Sequence, residues 1–484
     1  MAVLTNRTAI YYSLQPGFGQ TGTPDWKLIE PNTIPAAGPS VTSIARTVIS
    51  PRRSGRAGQT SDLDSAPQVT FDVTYDGFID FLPGAIFSNI KQQPGFIPTA
   101  VASGGYTVAS GGDLTQRTLV YARKYRNSGN NGVKEVGSGS TTTNIAVTGL
   151  TAETNPPLAA RVDVVGVRGA TGDIEIDSNG DIISTTLDFT TLGLFVGQSI
   201  FIGGEATVNQ FSTANNKGLA VITAISANVI ELERRQAAFS ADDGATKQID
   251  LYFGSWIRDV VQTDADFLFQ HYLLEVGLTG FTTGATTQYM YPIDNIVNTF
   301  NINIPLTDRA TVDLSFIGSD TPQPTSTQMA GDRTEPTRNT LFNSSSNFRR
   351  LSLATLDETG ITSFFNNLTI NINNNGGAKK AVANLGAVFM TYGLQQITGT
   401  ASVIFTDSAV LAAVRNNTAV SMDFGFGNED GFFHVDFPSM RLGNGALTFN
   451  ENDVVDVALD QTMDADNAFG HQVAVTMYPF LPNI

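Results

Sequence analysis

The chain has 484 residues with 46 glycines, three histidines and no cysteine, and its 45 acidic against 28 basic side chains leave a formal net charge of −17. Without cysteine there is no disulfide scaffold, zinc finger, iron–sulfur cluster or thiol nucleophile, and three histidines leave little room for a histidine-rich metal site. So acidic a balance argues against a protein that grips nucleic acid, because phosphate binding draws on Lys and Arg releasing counterions, but not against one that must let nucleic acid pass.

The first seventeen residues lack the basic-then-apolar layout of a secretion signal, and no run approaches the ~18 consecutive apolar residues of a membrane span. The expectation is a chain made and soluble in a cytoplasm. Val41 to Ser50 (VTSIARTVIS) reads as extended. VTFDVTYD then reads as a strand running into a short helix capped by Asp76, with Phe78, Phe81, Leu82, Ala85 and Ile86 near helical spacing and Pro83-Gly84 weakening its middle. Residues 101–253 read as an inserted all-β module: loop-like 127–144 and 154–157 alternate with strand-like 160–167, 194–202, 219–225 and 229–232.

Period-two alternation is clearest further on. Phe300, Ile302 and Ile304, then Val312, Leu314 and Phe316, alternate with polar residues and predict an antiparallel hairpin connected by Pro305 to Arg309. Residues 322–347 are polar and read as a linker or arm. Leu368 to Asn373 repeats the strand pattern, and TASVIFTD leads into a helix over Ser408 to Arg415 that Asp407 caps, with Val410, Leu411 and Val414 on one face. Val420 to Phe426 and Phe432 to Phe437 flank the turn Asn428-Glu429-Asp430-Gly431.

Each helix thus follows a strand and an aspartate, and each is eventually followed by a polar-turn hairpin, IPLTDRATVDLSF in one case and LTFNENDVVDVAL in the other. The reading is an internal duplication of one β-sheet-plus-helix unit.

Catalytic motifs are absent. His271, His434 and His471 are far apart, none lies in an HExxH frame, and each reads as a structural residue. There is no GxSxG elbow and no P-loop, and the glycine pairs near Gly104 and Gly111 lack strand-to-helix context. Asp177-Ser178-Asn179-Gly180-Asp181 resembles the start of a calcium loop, but the sixth position is Ile182 and the twelfth is no glutamate, so it reads as a hairpin turn. No catalytic residue, cofactor or metal is expected. Charge is more telling: after Arg441 there is no Lys or Arg, while Glu451, Asp453, Asp456, Asp460, Asp464 and Asp466 follow. Bases gather at Arg46, Arg52, Arg53 and Arg56 and at Arg123, Lys124 and Arg126, patches suited to the acids of a neighbouring copy.

Four stretches in this order carry a family resemblance: TSIARTVISPRRSGRAGQ; VTFDVTYDGFIDFLPGAIFSN; YMYPIDNIVNTFNINIPLTDRATVDLSFIG; and LTININNNGGAKKAVANLGAVFMTYGLQQITGTASVIFTDSAVLAAVRNN. Together they resemble the major tail tube proteins of long, flexible, non-contractile phage tails, over residues 37–95 and 255–484. The resemblance implies a mainly β chain in which a duplicated sheet-plus-helix sandwich closes, on oligomerisation, into rings with an inner β-barrel. These rings stack into the virion tube that conducts genomic DNA, and the subunits assemble in the host bacterial cytoplasm without a membrane. With the unit duplicated, the ring would be a homotrimer of pseudo-sixfold symmetry; a homohexamer is the second choice.

The expected division is 1–100 and 254–320 for the first unit, 101–253 for an external decoration, 321–347 for the arm and 348–484 for the second unit. The arm and the N-terminal segment are expected to reach adjacent rings. Implied partners are the tape measure protein, the tail terminator and the distal tail protein. Asp313, Asp423, Asp453, Asp456 and Asp460 are the candidate lumen or ring-contact acids, and Arg46, Arg52, Arg53 and Arg56 the candidate inter-subunit loop. A β-rich surface adhesin and a polysaccharide-degrading tail protein are the rival readings; the first suffers from the missing secretion signal, the second from the missing β-helix repeats or carboxylate site.

Overall fold

A computed structural model describes residues 3–46, 49, 56–280, 284, 286–356, 360–362 and 364–482. The principal strands and helices, numbered along the chain, are β1 (Val3–Gln15), β2 (Trp26–Ile29), β3 (Pro31–Ala36), β4 (Pro39–Arg46), β5 (Arg56–Ser65), β6 (Gln68–Asp72), α1 (Tyr75–Ile79), α2 (Leu82–Ile86), β7 (Ser255–Arg258), β8 (His271–Gly280), β9 (Ile296–Ile304) and β10 (Thr311–Ile317). The second half continues with β11 (Phe348–Thr355), β12 (Gly360–Thr362), β13 (Phe365–Asn373), β14 (Gly377–Lys380), β15 (Ala387–Thr391), β16 (Gln396–Ile404), α3 (Ala409–Asn416), β17 (Ala419–Asn428), β18 (Gly431–Thr448), β19 (Asp456–Met463) and β20 (Ala474–Tyr478).

Eight of these strands form one uninterrupted antiparallel ladder in the order β18-β19-β16-β13-β9-β10-β6-β3. It consists of two four-strand blocks with the same connectivity. In the first block the chain visits β3, β6, β9, β10 and lays them side by side as β9-β10-β6-β3; in the second it visits β13, β16, β18, β19 and lays them as β18-β19-β16-β13. The blocks join where β13 pairs with β9, from Asn373 opposite Thr299 to Leu368 opposite Ile304.

A second strand order repeats too: β8-β1-β2, part of a separate sheet, matches β17-β11-β12, which continues the ladder's own sheet from residues 431–441 of β18. A hairpin separates the first two strands of each block, β4–β5 in one and β14–β15 in the other, and a helical segment follows the second strand of each. Both helical segments end on a left-handed residue, Phe87 at φ 57 and Asn417 at φ 50. Alternation accounts for the ladder: Val312, Leu314 and Phe316, or Leu368, Ile370 and Ile372, are buried while their polar neighbours face outward. The inward side chains of both units and the helices share one core.

The halves differ at the helix exit. Two residues, Asn417 and Thr418, lead from α3 into β17, whereas residues 87–270 separate α2 from β8. Most of that interval is an all-β module of a ten-stranded and a four-stranded sheet, with its own core from Val101 to Phe253. In it, Asp177–Asp181 is the turn of a hairpin, Asp177 accepting the Asn179 and Asp181 amides at 2.8 and 2.9 Å. The module is not a loose appendage. Its Leu119, Val165, Phe201, Leu219 and Tyr252 pack with Phe432 and Tyr478 of the second unit, and β20 lies between β7 and β18.

The expectation for the first helix is corrected. The first helix is two five-residue pieces broken at Asp80-Phe81, and its cap is Thr74, whose hydroxyl accepts the Gly77 amide at 3.3 Å. Asp76 instead accepts the Thr337 and Arg338 amides at 2.8 and 2.9 Å. Gly84 is required there because an added Cβ would lie 2.6 Å from the Tyr272 hydroxyl.

Within the chain, the N-terminal segment is built into the first unit, where β1 pairs with β8 and β2. Residues 321–347 strap the chain's own surface. Arg333 pairs with buried Glu275 at 2.5 Å, Arg338 with Asp163 at 3.0 Å, and Phe342 is fully buried, its amide donating to Val73 and its carbonyl accepting from Ala310. Phe342→Ala therefore leaves a core cavity and is expected to cost about 3–5 kcal/mol, read as a lowered urea midpoint with unchanged slope.

Candidate functional site

The outward face of the eight-stranded ladder is a regular polar surface. From edge to edge it presents Thr33; Gln68, Thr70 and Asp72; Thr311, Asp313 and Ser315; Thr299, Asn301 and Asn303; Asn367, Thr369, Asn371 and Asn373; Gln396, Thr398, Thr400 and Ser402; Asp456, Ala458, Asp460 and Thr462; then Arg441 and Gly443. Short uncharged polar side chains dominate, and cross-strand bonds hold them down. The Asn371 amide donates to Asn301, Thr299 and Ser315 hydroxyls lie 2.5 Å apart, and Asp313 accepts from Thr70 at 2.6 Å and Asn303 at 2.8 Å. Such pairs order the face without burying a charge.

Ionised groups on this face are few and mostly acidic. Asp72 is paired with Arg309 at 3.0 Å, Asp456 accepts from Asn366 at 2.8 Å, and Asp460 is exposed. The base on these strands, Arg441, is tied at its edge: it donates to the Asn417 carbonyl at 2.6 Å and approaches Asp464 at 3.7 Å. Of the sequence-selected acids, Asp313, Asp456 and Asp460 therefore share this face, and Asp453 sits exposed in the turn between β18 and β19 at one end of it.

Asp423 does not belong with them. It is 4% exposed on β17, between Arg350 and His434, whose Nε2 is 3.0 Å away. Burial alone would raise its pKa, but the Arg350 charge and the His434 bond prevail and hold it at about 2. The basic loop is only partly described: Arg46 is exposed at the end of β4, opposite Arg56 across the hairpin, while Arg52, Arg53 and the Arg56 side chain lie outside the described residues. Arg123 is no surface base, being 6% exposed and paired with Asp163 at 3.2 Å.

Sequence reasoning missed a belt of buried ion pairs. Arg234 of the inserted module reaches Asp436 of β18 at 3.0 Å with its guanidinium over the Phe469 ring, and Arg350 donates to the Arg234 carbonyl at 3.1 Å. Asp163 receives both Arg123 and Arg338, and burial nevertheless raises its pKa. The partners are separated by 202 residues for Arg234–Asp436 and 175 for Arg338–Asp163, so no local signal could reveal them. The histidines are buried: His434 in this belt, His271 against the Phe269 ring, and His471 held neutral, its pKa lowered by burial to about 4. Among the described residues no group of three His, Asp or Glu side chains is placed to hold a metal ion, and no helix is long and apolar enough to cross a membrane.

The molecule thus combines a long polar sheet face with open edges at both ends of the ladder. Residues 236–466, a little under half of the chain, match the family of phage tail tube proteins; the match takes in the closing strands of the first unit and the second unit through β19. A search of the curated proteins found no match.

The pH dependence of the ionic belt follows from Asp423. Its folded pKa lies below the ordinary 3.8, so its contribution, roughly 2–3 kcal/mol, is complete above pH 4 and lost as pH falls toward 2. Asp423→Asn should lower stability at pH 7 and flatten this acid limb in urea titrations; an unchanged acid limb would refute the assignment.

Proposed function

We propose that the whole chain is the duplicated, non-enzymatic subunit of the tail tube of a long non-contractile, siphovirus-like tail. In this reading three copies close into a ring whose inner wall is a continuous β-barrel, rings stack into the tube, and genomic DNA passes through. The observation that carries the reading is the repeated strand order within one ladder. Within the chain, the first strand of the second block, β13, pairs with the third strand of the first block, β9. Each end of the ladder keeps the complementary edge: β3 pairs only with β6, and residues 442–448 of β18 pair only with β19. Joining β3 of one copy to that stretch of β18 in the next repeats the β13–β9 junction between copies, head to tail, and a closing rotation removes every edge.

Size favours three copies. One ladder closed on itself would be an eight-stranded barrel, whose interior side chains fill it. Three ladders with strands ~4.8 Å apart give a circumference of about 115 Å before tilt, and hence a wall about 37 Å across, wide enough for a duplex. The face turned inward would be the Asn- and Thr-rich one. Its acids repel phosphates within a Debye length of ~8–10 Å, and its short neutral side chains offer few sites at which counterions could be released to hold DNA. The inserted module would then lie outside the tube, and tape measure, terminator and distal tail proteins would meet the same subunit along its length and at its ends. Assembly would take place in the host cytoplasm.

Purified tails or self-assembled tubes should show rings with a central hole and three inserted modules each; six modules per ring would favour the hexamer, and isolated spikes the adhesin alternative. Because the chain has no cysteine, cysteines introduced along Asn32–Pro35 and Asn444–Leu447 report the proposed edge alone: oxidation should link copies into closed trimers on a non-reducing gel. On the inner face, Thr400→Lys with Asp460→Lys, a pair facing each other across β16 and β19, should slow genome ejection without lowering tail yield; unchanged ejection kinetics would remove the repulsive-lumen argument.

A further inference from the structure

Three parts of the molecule meet beside α1. The inserted module brings its adjacent strands Thr118–Arg123 and Arg161–Arg168, the strap brings residues 334–338, and the first unit brings α1 and β2. Between them lies a cleft of about 590 Å³, a volume in the range of small-molecule sites. The module lines it with Arg123 and Arg161, and the strap lines it with Arg338.

The charges in this cleft do not cancel in pairs. Arg123 stands directly opposite Arg161 across the antiparallel ladder, and like charges so placed cost free energy unless something compensates them. Asp163 lies two residues beyond Arg161 on the same face of the strand. Its Oδ2 already accepts from Arg123 Nε at 3.2 Å and from Arg338 Nη2 at 3.0 Å. Among the described residues Arg161 has no hydrogen-bond partner, and its charge acts on Asp163 only through space. Arg123 is 6% exposed, and its Nη2 is buried without a partner, a state that native structures rarely leave uncompensated. The neighbouring acids are engaged or in solvent. Asp76 is taken by the Thr337 and Arg338 amides, Asp80 by Tyr12 at 2.9 Å and Lys27 at 2.5 Å, and Asp25 and Glu335 are exposed. The fold therefore sets three guanidinium groups around one carboxylate and leaves donors over.

We propose that this cleft binds a phosphate-class oxyanion, held by Arg161 and by the unpartnered Nη2 of Arg123 beside Arg338. Planar guanidinium forks match such oxygens and hydrogen-bond to them with charge assistance. The anion would relieve the repulsion between Arg123 and Arg161, and it would tie the module to the strap where Arg338 already crosses to Asp163. All of these groups lie on one chain, so the site exists whether or not copies close into a ring.

The test is thermal unfolding of the whole purified chain at neutral pH, in inorganic phosphate and in sodium chloride of equal ionic strength. Phosphate should raise the unfolding midpoint saturably, as a ligand of the folded state does, and equilibrium dialysis with labelled phosphate should show a single site per chain. Arg161→Gln removes a side chain that the fold does not use, and should weaken half-saturation by about tenfold in both measurements. Arg415→Gln, at an exposed position on α3, should respond as the unsubstituted chain does. Equal midpoints in the two salts would overturn the proposal, as would a rise that never saturates, which is the general effect of an excluded salt, or unchanged phosphate binding by Arg161→Gln.

Discussion

The antiparallel pairing of β13 with β9 is the constraint on which the rest of the molecule turns. A sandwich unit could pack against its duplicate through side chains alone, but here backbone amides and carbonyls run on from one unit into the next without a break. Continuity makes the two polar faces one surface, puts both hairpins on one side and the connections 305–310 and 449–455 on the other, and pushes the unpaired backbone groups to the outer edges. Unpaired N–H and C=O groups in an edge invite pairing, so these two edges are where the ladder could be extended.

Around this ladder, buried charge attaches the parts that the repeat does not explain. The inserted module enters through the first unit yet is held to the second by Arg234 on Asp436, by β20 between β7 and β18, and by the aromatic packing of Phe432 and Tyr478. Breaking one partner of such a pair leaves an uncompensated charge in a low-dielectric interior, which costs far more than an exposed pair contributes. The belt therefore discriminates strongly against displaced arrangements of module and strap. It holds the two units in one relative orientation while leaving the outward sheet face free of structural ion pairs apart from those at its margins.

Most of the ladder was legible in the sequence because its cause is local. Phe300-Ile302-Ile304 against Asn301-Asn303 forces a face assignment whatever the neighbours, and the observed pairing of Ile302 with Val312 follows from the short turn. The strand–aspartate–helix repeat was likewise visible, although Thr74 rather than Asp76 caps the first helix, because Asp76 is taken by the strap 261 residues away. What could not be read depends on distance along the chain. Arg338 in a Pro- and Ser-rich stretch looks like a residue of a loose arm, and Asp423 in VSMDFGF looks like any outward polar residue of an alternating strand. Asp423 is buried because β11 and β18 flank β17 and bring Arg350 and His434 to it. Asp456 and Asp460, by contrast, alternate with buried Val457 and Leu459 and lie on the polar face of β19.

The unequal helix exits show where the chain tolerates insertion. The same left-handed turn that ends the helical segment leads into a module of well over a hundred residues in one unit and, after Asn417 and Thr418, straight into β17 in the other. The sandwich thus accommodates a complete guest domain at this point without disturbing strand order. The Asn417-Thr418 corner is accordingly a natural grafting position, where a second guest domain can be carried by the same chain at the site equivalent to that of the first.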